Sequence, residues 1–158
     1  MIGVGLALTL AACGGSATPP PAQPAPADVC VADPALAANR RPKPPEVGCM
    51  DQAAYLALGD ACNADDPDAC YQIAVCIKAQ ELGVDMAAAE RTQHQTAILQ
   101  SLRRSCDAGI AEACTLRVGM QMIDDAPLPA DGCADMIRAC NLGDEQGCAG
   151  CRWNQCNG

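Results

Sequence analysis

The chain has 158 residues and a net charge of −9, and its pI near 4.3 argues against nucleic acid as a partner, because phosphate binding needs clustered Lys and Arg. No apolar run approaches the roughly 20 residues that a membrane-spanning helix needs. Thirteen cysteines beside only three aromatic residues, Tyr55, Tyr71 and Trp153, point to a chain held together by cross-links rather than by aromatic packing.

Residues 1–12 (MIGVGLALTLAA) form an apolar stretch that ends in Leu10-Ala11-Ala12-Cys13, followed by Gly14-Gly15-Ser16. This resembles a bacterial lipobox. The resemblance implies a lipoprotein signal peptide over 1–12, cleavage before Cys13 and a diacylglycerol on the Cys13 thiol. It also implies a lipid-anchored place in the bacterial cell envelope, at the outer membrane. No Lys or Arg precedes the apolar run, although signal peptides carry a charged n-region, so the start codon is expected further upstream. With Cys13 set aside, twelve cysteines remain, the even count that full pairing of an exported chain requires.

Residues 13–48 read as the lipidated cysteine followed by a tether. Nine of the 12 prolines fall between Gly14 and Gly48, and proline-rich chains favour an extended polyproline II conformation. Arg40, Arg41 and Lys43 balance Asp28, Asp33 and Glu46, which reads as solvated linker charge. The net −9 is then carried by residues 49–158, a single disulfide-rich helical domain.

Three segments of that domain align on their cysteines: Cys62-NADDPDA-Cys70, Cys106-DAGIAEA-Cys114 and Cys140-NLGDEQG-Cys148. Eight steps along one continuous helix would part the Cα atoms by about 12 Å, whereas a disulfide needs about 4.4 to 6.8 Å. If each pair is bonded, the chain turns back between its cysteines. Gly109 and Gly143 stand where a residue just past a helix end belongs, and Asp66-Pro67 reads as an N-cap followed by proline at the first helical position. Apolar residues recur at helical spacing in Cys70, Ile73, Ala74, Ile77; in Leu99, Leu102, Cys106; in Ala113, Leu116, Met120, Ile123; and in Cys133, Met136, Ile137, Cys140. The expected fold is all-α: six short helices in about three antiparallel hairpins, each stapled by a disulfide, stacked as a short α-solenoid. Intervals of 44 and 34 residues between first cysteines bracket the period of helical-hairpin repeats, roughly 34 to 47. The longer interval extends the helix that runs from Asp85 to Cys106.

The stretches Cys106 to Cys114 and Arg138 to Cys148, with Leu82-Gly83-Val84 and Asp85 between hairpins, resemble the Sel1-like repeat, in particular that of the Helicobacter cysteine-rich proteins. The resemblance covers about Cys49 to Cys156. The Leu-Gly pair of that repeat, shortly after the second cysteine, is replaced here by Ile73-Ala74, Arg117-Val118 and Cys151-Arg152. It implies a TPR-like interaction scaffold. It also raises an enzymatic alternative, since some of those proteins are described as penicillin-binding or weakly β-lactam-hydrolysing.

Outside the repeat, hairpin geometry places Cys133 opposite Cys156, so these two are expected to pair. Cys30, Cys49, Cys76 and Cys151 allow three connectivities. Cys148-Ala-Gly-Cys151 has the spacing of redox motifs and of half a zinc site, but a thioredoxin-like site needs a βαβ context, and structural disulfides are the better reading. His94 lies in a polar helical run, and Ser101 and Ser105 lack a hydrolase motif. Asp65, Asp66 and Asp68 read as capping residues rather than a calcium loop. No catalytic residue, metal or cofactor is assigned.

The expected function is binding of an envelope or extracellular protein or peptide. Sixteen acidic and seven basic side chains follow Cys49, so the field favours a basic or neutral partner.

Overall fold

Four helices begin on an aspartate whose carboxylate accepts from amides of the first turn: Asp33, Asp51, Asp66 and Asp144. The computed structural model describes residues 29–45, 47, 49, 51–81, 86–122 and 128–156, the side chain of Glu81 excepted. Residues 1–12, Cys13, the 82–85 stretch and Ile123 lie outside them. The described elements are α1 (Pro34–Ala37), α2 (Gln52–Asn63), α3 (Pro67–Glu81), α4 (Ala88–Asp107), α5 (Ala111–Gln121), α6 (Ala130–Asn141) and α7 (Glu145–Trp153). All are helical. At 20 residues α4 is the longest. The short α1 was not expected: Asp33 caps it by accepting from the Ala35 amide at 2.8 Å, and Pro34 stands at its first position.

The three hairpins α2–α3, α4–α5 and α6–α7 turn in the same way. In each, the residue after the C-cap has positive φ: Asp65 (63°), Gly109 (96°) and Gly143 (82°). Its amide donates to the carbonyl of Cys62, Cys106 or Cys140, and the next amide donates to that of Ala61, Ser105 or Ala139. This paired pattern satisfies two orphan carbonyls at each helix end. The residue that completes the turn starts the next helix, and two of the three cap it: Asp66 accepts from Asp68 N at 2.9 Å, and Asp144 from Gly147 N at 2.9 Å. Asp65 shows that the first turn tolerates a side chain in the left-handed region, which Asp enters more readily than most residues.

Because the turns are alike, the staples are alike. Cys62–Cys70, Cys106–Cys114 and Cys140–Cys148 are bonded with Cα atoms 4.5, 4.8 and 4.3 Å apart. Each runs from the last turn of one helix to the first turn of the next. The residue before each second cysteine is small and buried: Ala69, Ala113 and Gly147. At Gly147 the helices are closest, since an added Cβ would overlap Ala139 Cβ and lie 2.9 Å from Cys140 N.

Helices pack chiefly on their neighbours in the chain, α2 on α3, α3 on α4, and so on to α6 on α7. One core cluster gathers Ile73, Ile77, Ile98, Leu102 and Ile110 with the first two staples, and a smaller one gathers Val118, Met136, Cys30, Cys151 and Cys156. The buried stripe of α4 runs through Ile98, Leu102 and Cys106, with Leu99 half-buried beside it rather than on it. Tyr71 is the aromatic residue of the core, while Trp153 is 84 % exposed.

The largest departure from expectation is the segment 13–48. From Val29 onward its described residues are not an extended tether but part of the folded unit, joined to it by two disulfides, Cys30–Cys151 and Cys49–Cys76. Proline keeps a chain extended whether it lies in solvent or on a protein surface, and here the surface supplies the contacts.

Candidate binding groove

Residues 30–45, 47 and 49 cross the three hairpins in reverse order, as a strap. At its start Cys30 is bonded to Cys151 of α7 (Cα–Cα 5.6 Å), and the Arg152 guanidinium donates to Cys30 O at 3.1 Å. Ala37 then lies against Gly143, where an added Cβ would meet its methyl at 3.4 Å. Arg40 donates to Gly143 O at 3.2 Å and forms an ion pair with Glu112 at the start of α5. The Arg41 amide donates to Gly109 O at 3.1 Å in a parallel bridge to Ile110, and its guanidinium reaches Asp68 of α3 at 3.2 Å. Pro45 O accepts from the Gln72 side chain at 3.1 Å, and Cys49 is bonded to Cys76 of α3 (Cα–Cα 5.0 Å).

Gly109 and Gly143 therefore do two things. Their positive φ closes the turns, and their carbonyls accept the strap. Arg40 and Arg41 hold the strap in place, because Glu112 and Asp68 sit in the first turn of the receiving helices, where the helix dipole favours acidic residues.

Between the strap and α5 lies a cavity of about 770 Å³. Arg40 and Lys43 wall one side, Glu112, Thr115 and Leu116 the other, and Asp144 and Glu145 close the end. Gly119 leaves the floor of α5 open, since a Cβ there would meet nothing within 4 Å. The groove is of mixed charge, with Tyr71 and Leu116 among its lining residues.

A second cavity, about 420 Å³, lies beside α5 and α6. It holds Arg117, whose side chain is only 8 % exposed, paired to Asp131 at 2.9 Å and to Asp135. Burial pushes the Asp135 carboxyl up, against the pull of the Arg117 charge. Hydrogen bonding from Gln121, and then from Arg117, holds Asp131 below its ordinary value. Arg138 reaches Asp107 at 3.1 Å on the same side. These ion pairs, with Arg103 reaching Asp107 at 3.7 Å as well, are made within the protein, and the cluster ties α5 to α6. The sequence reading named Arg117 only as a departure from the repeat; the missed signal was Asp131 and Asp135, one helical turn apart on α6.

The remaining candidates are placed as follows. Cys133 and Cys156 are bonded, with Cα atoms 5.2 Å apart. Cys148 and Cys151 belong to different disulfides, with Cys140 and Cys30. Ser105 is fully buried, its hydroxyl 2.8 Å from Pro67 O and 3.1 Å from Ser101 O, a contact between α4 and the first turn. Asp65 completes that turn, Asp66 caps α3 and Asp68 pairs with Arg41. His94 is half-buried on α4. Among the described residues no group of three or more His, Cys, Asp or Glu is placed to hold a metal ion, and none of their helices is long and apolar enough to cross a membrane.

No family model, curated protein or solved structure matches the chain.

Proposed function

We propose that the protein is a lipid-anchored lipoprotein of the bacterial cell envelope whose stapled helical hairpins form a short Sel1-like solenoid that binds a protein or peptide. The observation that carries this reading is the groove between the strap and α5, a cleft of about 770 Å³ within the usual range for ligand sites and lined by more acidic than basic side chains. Helices that pack on their chain neighbours, and three turns of one design, fit a repeat that stacks into an interaction surface. Six disulfides fit an oxidising compartment outside the cytoplasm. The lipobox at Leu10 to Cys13 supplies the anchor, at the outer membrane, and the acidic domain selects a basic or neutral partner.

The test is capture from envelope extract with the disulfide-intact chain carrying Cys13→Ser, beside the same chain with Glu145→Lys. A partner retained by the first and lost by the second supports the reading. Hydrolysis of nitrocefin by the purified chain, with no captured partner, would replace it by the β-lactam-directed alternative.

A further inference from the structure

Two cavities meet under the strap. The smaller, about 200 Å³, is enclosed by Pro45, Val47 and Cys49 on the strap side and by Tyr71, Gln72 and Val75 of α3. Lys43 and Tyr71 line both it and the larger groove, so the two chambers adjoin at these residues, one reaching the start of α7 and the other α3.

The two chambers differ in chemistry. At the α7 end, Arg40 is engaged with Glu112 and Gly143 O, which closes that pair within the protein. Asp144 accepts from Thr115 and from Gly147 N on the same oxygen, Oδ2. Glu145 is exposed. Neither Asp144 nor Glu145 forms an ion pair among the described residues, and a charged N–H donor complements such carboxylates best. At the α3 end the walls are largely carbon and sulfur: Pro45, Val47, Val75 and the disulfide of Cys49.

We infer that these adjoining chambers bind an extended peptide segment of a partner protein through two anchors, a cationic side chain at Asp144 and Glu145 and an apolar side chain in the chamber between Val47 and Val75. The inference rests on the groove-binding reading and adds the chemistry of the ligand. Each anchor alone is weak. Joined in one peptide, the second binds at the high effective concentration set by the first. Because the strap is a wall of both chambers, the Cys49–Cys76 bond is a binding determinant, although each hairpin keeps its own staple without it.

The experiment selects phage-displayed random dodecapeptides on the disulfide-intact chain, then measures a fluorescein-labelled synthetic copy of the most enriched peptide by polarisation. The expected sequences carry Arg or Lys at a fixed spacing from Leu, Ile, Val or Phe, and replacing either residue weakens binding about tenfold or more. Gly119→Phe, whose Cβ would meet nothing within 4 Å, and Val75→Asp weaken it similarly, and Leu56→Ser, exposed on α2, leaves it unchanged. The double variant Cys49→Ser/Cys76→Ser loses binding while its helical circular dichroism persists. Glu145→Lys serves if Gly119→Phe fails to fold. No enrichment, acidic peptides, or peptides that bind the Gly119→Phe and Glu145→Lys chains as well as the wild type would overturn the inference. In the last case, binding elsewhere on the chain keeps the broader scaffold reading, whereas failure of both selection and envelope capture removes both.

Discussion

The carboxylate of Asp144 serves two hairpins at once: Thr115 of α5 reaches its Oδ2 at 2.7 Å while the same oxygen caps α7 through Gly147 N at 2.9 Å. Asp144→Ala removes both contacts. An N-cap is worth about 0.5 to 2 kcal/mol, and the expected loss lies at the upper end of that range because the Thr115 hydroxyl also loses its partner. Asp144→Asn keeps a capping oxygen and loses less. Urea denaturation of the two variants against the wild type checks the order.

Glycines on this fold have opposite roles according to what surrounds them. Gly147→Ala drives a methyl into Ala139 and the Cys140 backbone, and overpacking of that kind costs about 1 to 3 kcal/mol. Gly59→Ala and Gly119→Ala meet nothing within 4 Å and gain the helix propensity that glycine lacks, about 0.5 to 1 kcal/mol each. Melting temperatures should therefore fall for the first and rise for the other two.

The two kinds of disulfide should differ in weight. By the chain-entropy relation a staple such as Cys62–Cys70, with a sequence separation of 8, contributes about 2.5 kcal/mol, and Cys30–Cys151, with a separation of 121, about 5 kcal/mol. Paired Cys→Ser variants measured by chemical denaturation should follow this order. Full reduction should abolish cooperative unfolding in circular dichroism, and an unchanged melt on reduction would show that the cysteines are not structural.

Asp131 and Asp135 should report on acid stability with opposite signs. The Asp135 carboxyl is raised above its ordinary 3.8, so its contribution is full below 3.8 and is lost as pH rises through the raised value. That of Asp131 is lowered from 3.8, so its contribution is present above 3.8 and is lost as pH falls through the lowered value. Relative to the wild type, Asp135→Asn should gain stability as pH rises through the window above 3.8. Asp131→Asn should lose ground as pH rises through the window below it. Denaturant midpoints taken across both windows give the two slopes.

The anchor has its own test. Metabolic labelling with a clickable fatty acid should mark the wild-type chain and not Cys13→Ala, and equal labelling of both would remove lipidation from the proposal.

The hairpins were legible in the sequence and the strap was not, for reasons that lie in range. Cys62 and Cys70 are too far apart along one helix to bond, so their spacing alone demands a turn, and Gly109, Gly143 and Asp66-Pro67 are local markers of where it falls. Cys30 and Cys49 have partners 121 and 27 residues away, with no periodic signal to connect them. Composition then misled, because a proline-rich segment in solvent and one laid along a surface have the same residues. Full pairing of twelve cysteines did carry the missing clue: Cys30 or Cys49 had to reach α3 or α7 unless they bonded to each other. The groove was illegible for the same reason, since the strap is one of its walls.

The bond between Cys30 and Cys151 also sets how the molecule bears load. A pull exerted through the residues before Val29 enters the fold at that sulfur bridge and passes straight into α7, the last helix, without first drawing on α2. The remaining strap and its anchor at Cys76 lie behind the bridge and stay slack. Under tension from its N-terminal side the protein is hung by its final hairpin, and the hairpins that carry the larger core cluster lie behind that point of entry.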